Sequence, residues 1–253
     1  MSIAYASPAC IPIAEDWGNQ EACLCIHGFG SAPGMYRVVE ELIRQAGYDL
    51  YAPLLTGHGT TPKDMRDVTA EQWLTDCDQA IASLFDHYQR VHLIGTSMGG
   101  ALCTYLAGAY ENTGKIGKVL LMVPGYALRN KGFYNLDFEH CGNTGFPLVQ
   151  SEKIPLEWEE MTFQYDFMYV RSIGQLIRLG QIGEEYVQRV LAPVWLLYAE
   201  KDPVVDPEHC AKAASHFSNL RMCHVYLESG HNLLFGDERA DVCRRIHEFL
   251  QAE

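Results

Sequence analysis

The chain reads as one α/β domain built on a mostly parallel, doubly wound sheet with an inserted cap. Three observations predict this. Short apolar runs alternate with stretches of helical periodicity over residues 20–125. That alternation is the pattern of a parallel sheet covered by helices on both faces. A Gly-rich turn joins a strand to a helix at Val91–Gly100. The strand rhythm then stops at residue 126 and resumes near Val194, which marks an insertion.

Taken in order, residues 1–20 are dotted with Pro and predict an edge strand or hairpin. Glu21–Ile26 is a short apolar strand, and His27-Gly28-Phe29-Gly30-Ser31 follows as a loop. Val38, Val39, Leu42 and Ile43 give Met35–Gln45 a helical period, with Gly47 as the stop. Asp49–Ala52 is a strand, and 54–63 is a loop rich in Gly and Thr. Thr69–Tyr88 predicts a long helix opened by a Thr69/Gln72 capping box. Lys118–Val123 is an apolar strand closed by Pro124-Gly125. After the insertion come a strand at Val194–Ala199, a helix at 207–217, a strand at Met222–Leu227 and a helix at 237–251. The expected division is a core of residues 1–125 and 191–253 with a cap of 126–190, the latter without a clear strand.

Composition narrows the classes. The chain has 253 residues, 48% hydrophobic and 20% charged, with a net charge of −13. Such acidity repels phosphate backbones and anionic lipid, so nucleic-acid and membrane-surface partners are not expected. The nine cysteines form no C-x-x-C pair, and Cys23 and Cys25 fall on one side of a strand. Buried free thiols in a reducing cytoplasm are the expectation. No basic, apolar leader opens the sequence and no run reaches the length of a membrane span.

The chemistry concentrates at Gly95-Thr96-Ser97-Met98-Gly99, a G-x-S-x-G turn between strand and helix. Such a turn thrusts the Ser into the open at a helix N-terminus, where backbone N–H groups favour an oxyanion. A nucleophilic Ser needs a base, and the base an orienting acid, in the chain order Ser, acid, His. Asp202 follows the strand VWLLYA, and His231 follows the strand ending in Leu227. All three then meet at the carboxyl edge of the sheet. Asp206 is the rival acid and Glu200 a weaker one. Phe29 and Met98 are the expected N–H donors of the oxyanion hole. No H-E-x-x-H and no Cys/His ligand spacing call for a metal.

These motifs resemble the α/β-hydrolase superfamily, and within it the bacterial carboxylesterase and monoacylglycerol lipase branch. The matching residues are His27-Gly28-Phe29-Gly30, the stretch Pro53–Thr60 with Asp64, Met65 and Trp73, Gly95–Gly100, Asp202-Pro203-Val204-Val205 and Ser229-Gly230-His231. Thr96 stands where the branch usually has Leu, and Asn232 where Val is common. The resemblance implies a serine esterase with the triad Ser97, Asp202 and His231, acting without a cofactor on a small-molecule ester. His58 is expected to shape its loop.

The stretch 126–190 holds 11 of the chain's 28 Phe, Trp and Tyr residues. Phe133, Phe138, Phe146, Trp158 and Phe163, together with Phe29, are expected to wall an apolar pocket for short to medium acyl groups. A thioesterase, a peptidase or a carbon–carbon bond hydrolase would use the same triad, and a non-catalytic ligand receptor could retain it.

Overall fold

The computed structural model describes residues 5–148 and 154–252. Seven strands form one sheet: β1 (Ile13–Glu15), β2 (Glu21–Ile26), β3 (Asp49–Ala52), β4 (Arg90–Thr96), β5 (Ile116–Met122), β8 (Val194–Ala199) and β9 (Leu220–Tyr226). Two further strands, β6 (Gly145–Pro147) and β7 (Phe167–Tyr169), pair antiparallel on their own. The order in the large sheet is β1-β3-β2-β4-β5-β8-β9, parallel throughout except for β1 against β3.

The strands are apolar on both faces because helices cover both. Leu24, Ile26, Leu93, Val119, Leu121 and Leu196 join one core layer. Their alternates Cys23, Cys25, Ile94, Leu120, Met122 and Leu197 join the other. The first layer packs under α3 (Ala70–Phe85), α4 (Met98–Ala109), α5 (Val170–Tyr186) and α6 (Pro207–His216). The second packs under α1 (Glu40–Gln45) and α7 (Arg239–Gln251). The short α2 (Pro62–Met65) completes the helices. Cys23 and Cys25 are buried on one face as free thiols, and all nine cysteines are unbridged.

Helix α3 starts where its capping box places it. Thr69 Oγ1 accepts from the Gln72 N–H, and Gln72 Oε1 accepts from the Thr69 N–H. The helix expected at Met35–Gln45 is instead a 3-10 turn over Pro33–Val39 that continues as α1. The edge strand expected in residues 1–20 is β1, while residues 1–4 lie outside the described residues.

The stretch 126–190 divides into two kinds of structure. Its first part holds two short 3-10 turns, Lys131–Asn135 and Leu156–Met161, and the β6/β7 pair. Those strands are three residues each, too short to leave an alternating pattern in the sequence. Its second part is α5, whose Leu176 and Leu179 share a core layer with Leu102 and Leu106 of α4. This helix is the crossover that returns the chain from β5 to its parallel neighbour β8.

No described helix is long and apolar enough to cross a membrane.

Candidate active site

The strand β4 ends in a turn that forces Ser97 to a positive φ of 56°. That conformation is costly for a residue with a side chain, and it persists because the neighbours over-determine it. A Cβ on Gly99 would stand 1.9 Å from the Ile26 carbonyl oxygen, and one on Gly95 would stand 2.3 Å from the Gly99 oxygen. Glycine at both positions is therefore what lets α4 begin directly above β2 and β4. Ser97 is the N-cap of α4, so Met98 is its first residue. The Met98 N–H belongs to the first turn, where a helix offers donors with no intrahelical acceptor.

The three candidate triad residues meet. Ser97 Oγ lies 3.0 Å from His231 Nε2, and His231 Nδ1 lies 2.7 Å from Asp202 Oδ2. Asp202 is buried, and its Oδ1 accepts from the N–H groups of Val204 at 2.7 Å and Val205 at 2.9 Å. The carboxylate can only accept, so His231 donates from Nδ1 and Nε2 is left to accept from the serine hydroxyl. The loop that carries His231 is held by Glu238, whose Oε2 accepts from both the Ser229 N–H and the Ser229 hydroxyl.

The rival acids lie elsewhere. Asp206 is the N-cap of α6, accepting from the Glu208 N–H, and pairs with Lys131. Glu200 is exposed at the end of β8.

The loop after β2 runs against the serine. A Cβ on Gly28 would stand 3.3 Å from Ser97 Cβ. The buried His27 donates from Nδ1 to the Gly28 carbonyl at 2.9 Å and accepts at Nε2 from the Leu55 N–H at 3.2 Å. The Gly28 carbonyl and the Phe29 N–H belong to one planar peptide, so the first bond also fixes the direction of that N–H. The cap meets the same loop. Gln164 Nε2 donates to the Phe29 carbonyl at 3.3 Å, and the Tyr165 N–H donates to the Gly30 carbonyl at 2.9 Å.

His58 lies beside this loop and does not line the pocket. Its ring stacks on Tyr165, and its Nδ1 donates to the Thr56 carbonyl at 3.1 Å. Thr96, at the position preceding the serine, places Oγ1 3.4 Å from the Tyr36 hydroxyl.

Burial pushes the His27 pKa down to about 4, against a small upward pull from its bond to Gly28. Burial likewise pushes His92 down to about 4. These values lie below the ordinary value of 6.5, so the unfolded chain binds protons that the folded chain refuses. Stability therefore rises with pH between 4 and 6.5 and falls on acidification through that window. For His27 alone the difference is about 3 kcal/mol. Urea unfolding at several pH values across the window is expected to show this loss. A flat stability there would contradict the burial of neutral histidines.

A cavity of about 270 Å³ opens above Ser97. Phe29, Phe133, Phe146 and Phe163 line it. Phe138 and Trp158 do not. The Phe138 ring lies against Gly174 of α5, where a Cβ would come within 2.6 Å of it. The Trp158 ring is covered by the Arg239 guanidinium at 4.6 Å and packs on the α7 core layer. The sequence did not single out Met35, Met168, Ile173, Leu176 and Phe235, which line the cavity too. The described lining has no Asp, Glu, Lys or Arg, and its polar members include Ser31, Asn130, Thr162, Gln164 and Asn232.

The sequence pattern of the Alpha/beta hydrolase family matches residues 23–245. The chain belongs to that family. Among curated relatives, this α/β-hydrolase is 27% identical over 186 residues to a thermostable monoacylglycerol lipase of a Bacillus species, covering 73% of this chain and 71% of the relative. It is 22% identical over 236 residues to a carboxylesterase of Bacillus subtilis, covering 92% and 94%. In fold it is similar to a solved structure from the metagenome-derived lipolytic enzymes LipS and LipT, with a TM-score of 0.85, 24% identity, and 97% and 98% of the two chains covered. The monoacylglycerol lipase of Paleococcus ferrophilus superposes with a TM-score of 0.72 at 18% identity, covering 90% and 93%. These relatives and neighbours are esterases and lipases, enzymes that hydrolyse carboxylic esters.

Proposed function

We propose that the protein is a serine hydrolase that cleaves carboxylic esters with short to medium apolar acyl groups through an acyl-enzyme. The observation that supports this most is the hydrogen-bonded line Ser97–His231–Asp202 at the floor of an apolar cavity whose described lining carries no Asp, Glu, Lys or Arg. His231 takes the Ser97 proton as Ser97 Oγ attacks the ester carbonyl. The N–H groups of Phe29 and Met98 hold the oxyanion of the tetrahedral intermediate. As the intermediate collapses, His231 returns the proton to the departing alcohol. Water then attacks the acyl-enzyme carbonyl with His231 again as base, the bond to Ser97 Oγ breaks as His231 returns the proton to it, and the acid leaves. Asp202 fixes the imidazole tautomer and stabilises the imidazolium.

The described residues between 126 and 169 form the cap in this reading, narrower than the 126–190 expected from sequence, because α5 packs with α4. The Phe133 and Phe146 rings meet at 5.7 Å and wall the acyl side. A reducing cytoplasm suits the free thiols, and a small neutral ester suits the cavity. An acyl group bearing a carboxylate would meet no cationic side chain among the described lining residues and is expected to be a poor substrate.

The test is kcat/KM across p-nitrophenyl esters from acetate to palmitate. Each buried methylene contributes at most about 0.8 kcal/mol. The value is expected to rise by up to several-fold per carbon and to fall once the cavity is full. A flat profile, or a maximum at acetate, would contradict an acyl pocket under the cap. Turnover beyond one equivalent per chain excludes the receptor alternative.

A further inference from the structure

One residue of the cap stem holds the turn that carries Asp202 from both sides. Arg129 Nη1 donates to the carbonyl oxygens of Glu200 at 3.0 Å and Asp202 at 2.7 Å. The Arg129 backbone N–H donates to the Val204 carbonyl at 2.8 Å. On either side of it the stem is joined to the same loop. Leu128 pairs antiparallel with Val205, and the Asp206 N–H donates to the Ala127 carbonyl at 2.9 Å.

Both carboxylate oxygens of Asp202 are committed, Oδ1 to two N–H groups of its own turn and Oδ2 to His231. The carboxylate therefore moves only as the turn moves. The Arg129 side chain contributes nothing to that turn that water could not supply, if satisfying carbonyls were its only use. Arg129 is exposed, and ordering so long a side chain carries an entropic cost. What a guanidinium adds over water is a fixed geometry between two acceptors.

We propose that Arg129 is a positioning residue for Asp202. Through the carbonyls of Glu200 and Asp202 it fixes the turn that aims the carboxylate at His231, and so ties the cap stem to the triad. The proposal rests on the reading of Asp202 as the triad acid.

The test is a double-mutant cycle on an activated p-nitrophenyl ester, with Arg129→Met, Arg129→Lys and Asp202→Asn, each variant checked by circular dichroism and thermal melting. A misaimed catalytic group costs rate far more than binding. Arg129→Met is expected to lower kcat by roughly 10-fold or more while KM stays within about 2-fold. Arg129→Lys, which retains a donor and the charge, is expected to recover part of the loss. In the Asp202→Asn background Arg129→Met is expected to cost nothing further, because no carboxylate is left to aim. An unchanged kcat in Arg129→Met would overturn the proposal, as would the same loss in both backgrounds. If Arg129→Met does not fold, Arg129→Lys is carried through the same cycle, and an equal loss in both backgrounds would overturn the proposal there too. Full activity in Asp202→Asn alone would remove the acid assignment itself, an outcome distinct from a neutral Arg129 beside a crippled Asp202→Asn.

Discussion

Replacing Ser97 by alanine is expected to lower kcat/KM on a p-nitrophenyl ester by about 10³-fold or more, because the members of a triad act as a unit. The fold should be preserved. Ser97 Oγ makes its described hydrogen bond to His231 alone, at 3.0 Å, and alanine keeps the Cβ. Alanine at φ 56° is no more strained than serine there. Residual rate would come from the N–H groups of Phe29 and Met98 and from substrate binding, which do not need the hydroxyl. The measurement is initial rate with a thermal melt on the same sample. Retention of more than roughly a tenth of the activity would remove Ser97 from the chemistry.

The second large effect is at the acid. Asp202→Asn is expected to lower kcat by roughly 10²-fold or more, because an amide at that place stabilises the wrong imidazole tautomer and cannot offset an imidazolium. Asp206→Asn is expected to stay within about 2-fold of the unsubstituted enzyme. Asparagine is as good an N-cap as aspartate for α6, and the pair lost is with Lys131, itself 61% exposed. The contrast matters because the two residues are four positions apart and indistinguishable by composition. Equal losses from the two substitutions would mean that the acid is shared or misassigned.

Much of this fold is written in short continuous apolar runs, the pattern that helices on both faces of a parallel sheet impose. β2 and β3 occupy Glu21–Ile26 and Asp49–Ala52, the residues their apolar runs mark. The candidate triad was legible for a different reason. A tight turn with Gly95 and Gly99 around Ser97 has few physical uses, and the ends of parallel strands are where Asp202 and His231 had to fall.

The pocket was legible only in outline. Phe138, Phe146 and Trp158 are equivalent in the sequence, and what separates them is where α5 and α7 meet the cap. Gly174 leaves a niche that Phe138 fills, Arg239 covers Trp158, and Phe146 is left to the cavity. Ile173 and Leu176 could not be told from core residues, since a helix that lines a pocket and one that lines a core share the same spacing. The β6/β7 pair has too few residues to show a period.

The assignment of Ser97 as nucleophile is tested by labelling the enzyme with a fluorophosphonate, followed by peptide mapping by mass spectrometry. A hydroxyl activated by His231 and Asp202 reacts where other serines do not. One adduct per chain is expected, on Ser97, with loss of ester turnover in proportion to labelling and no adduct in Ser97→Ala. An adduct on any other residue, or an unlabelled Ser97 in a chain that loses its activity, would contradict it.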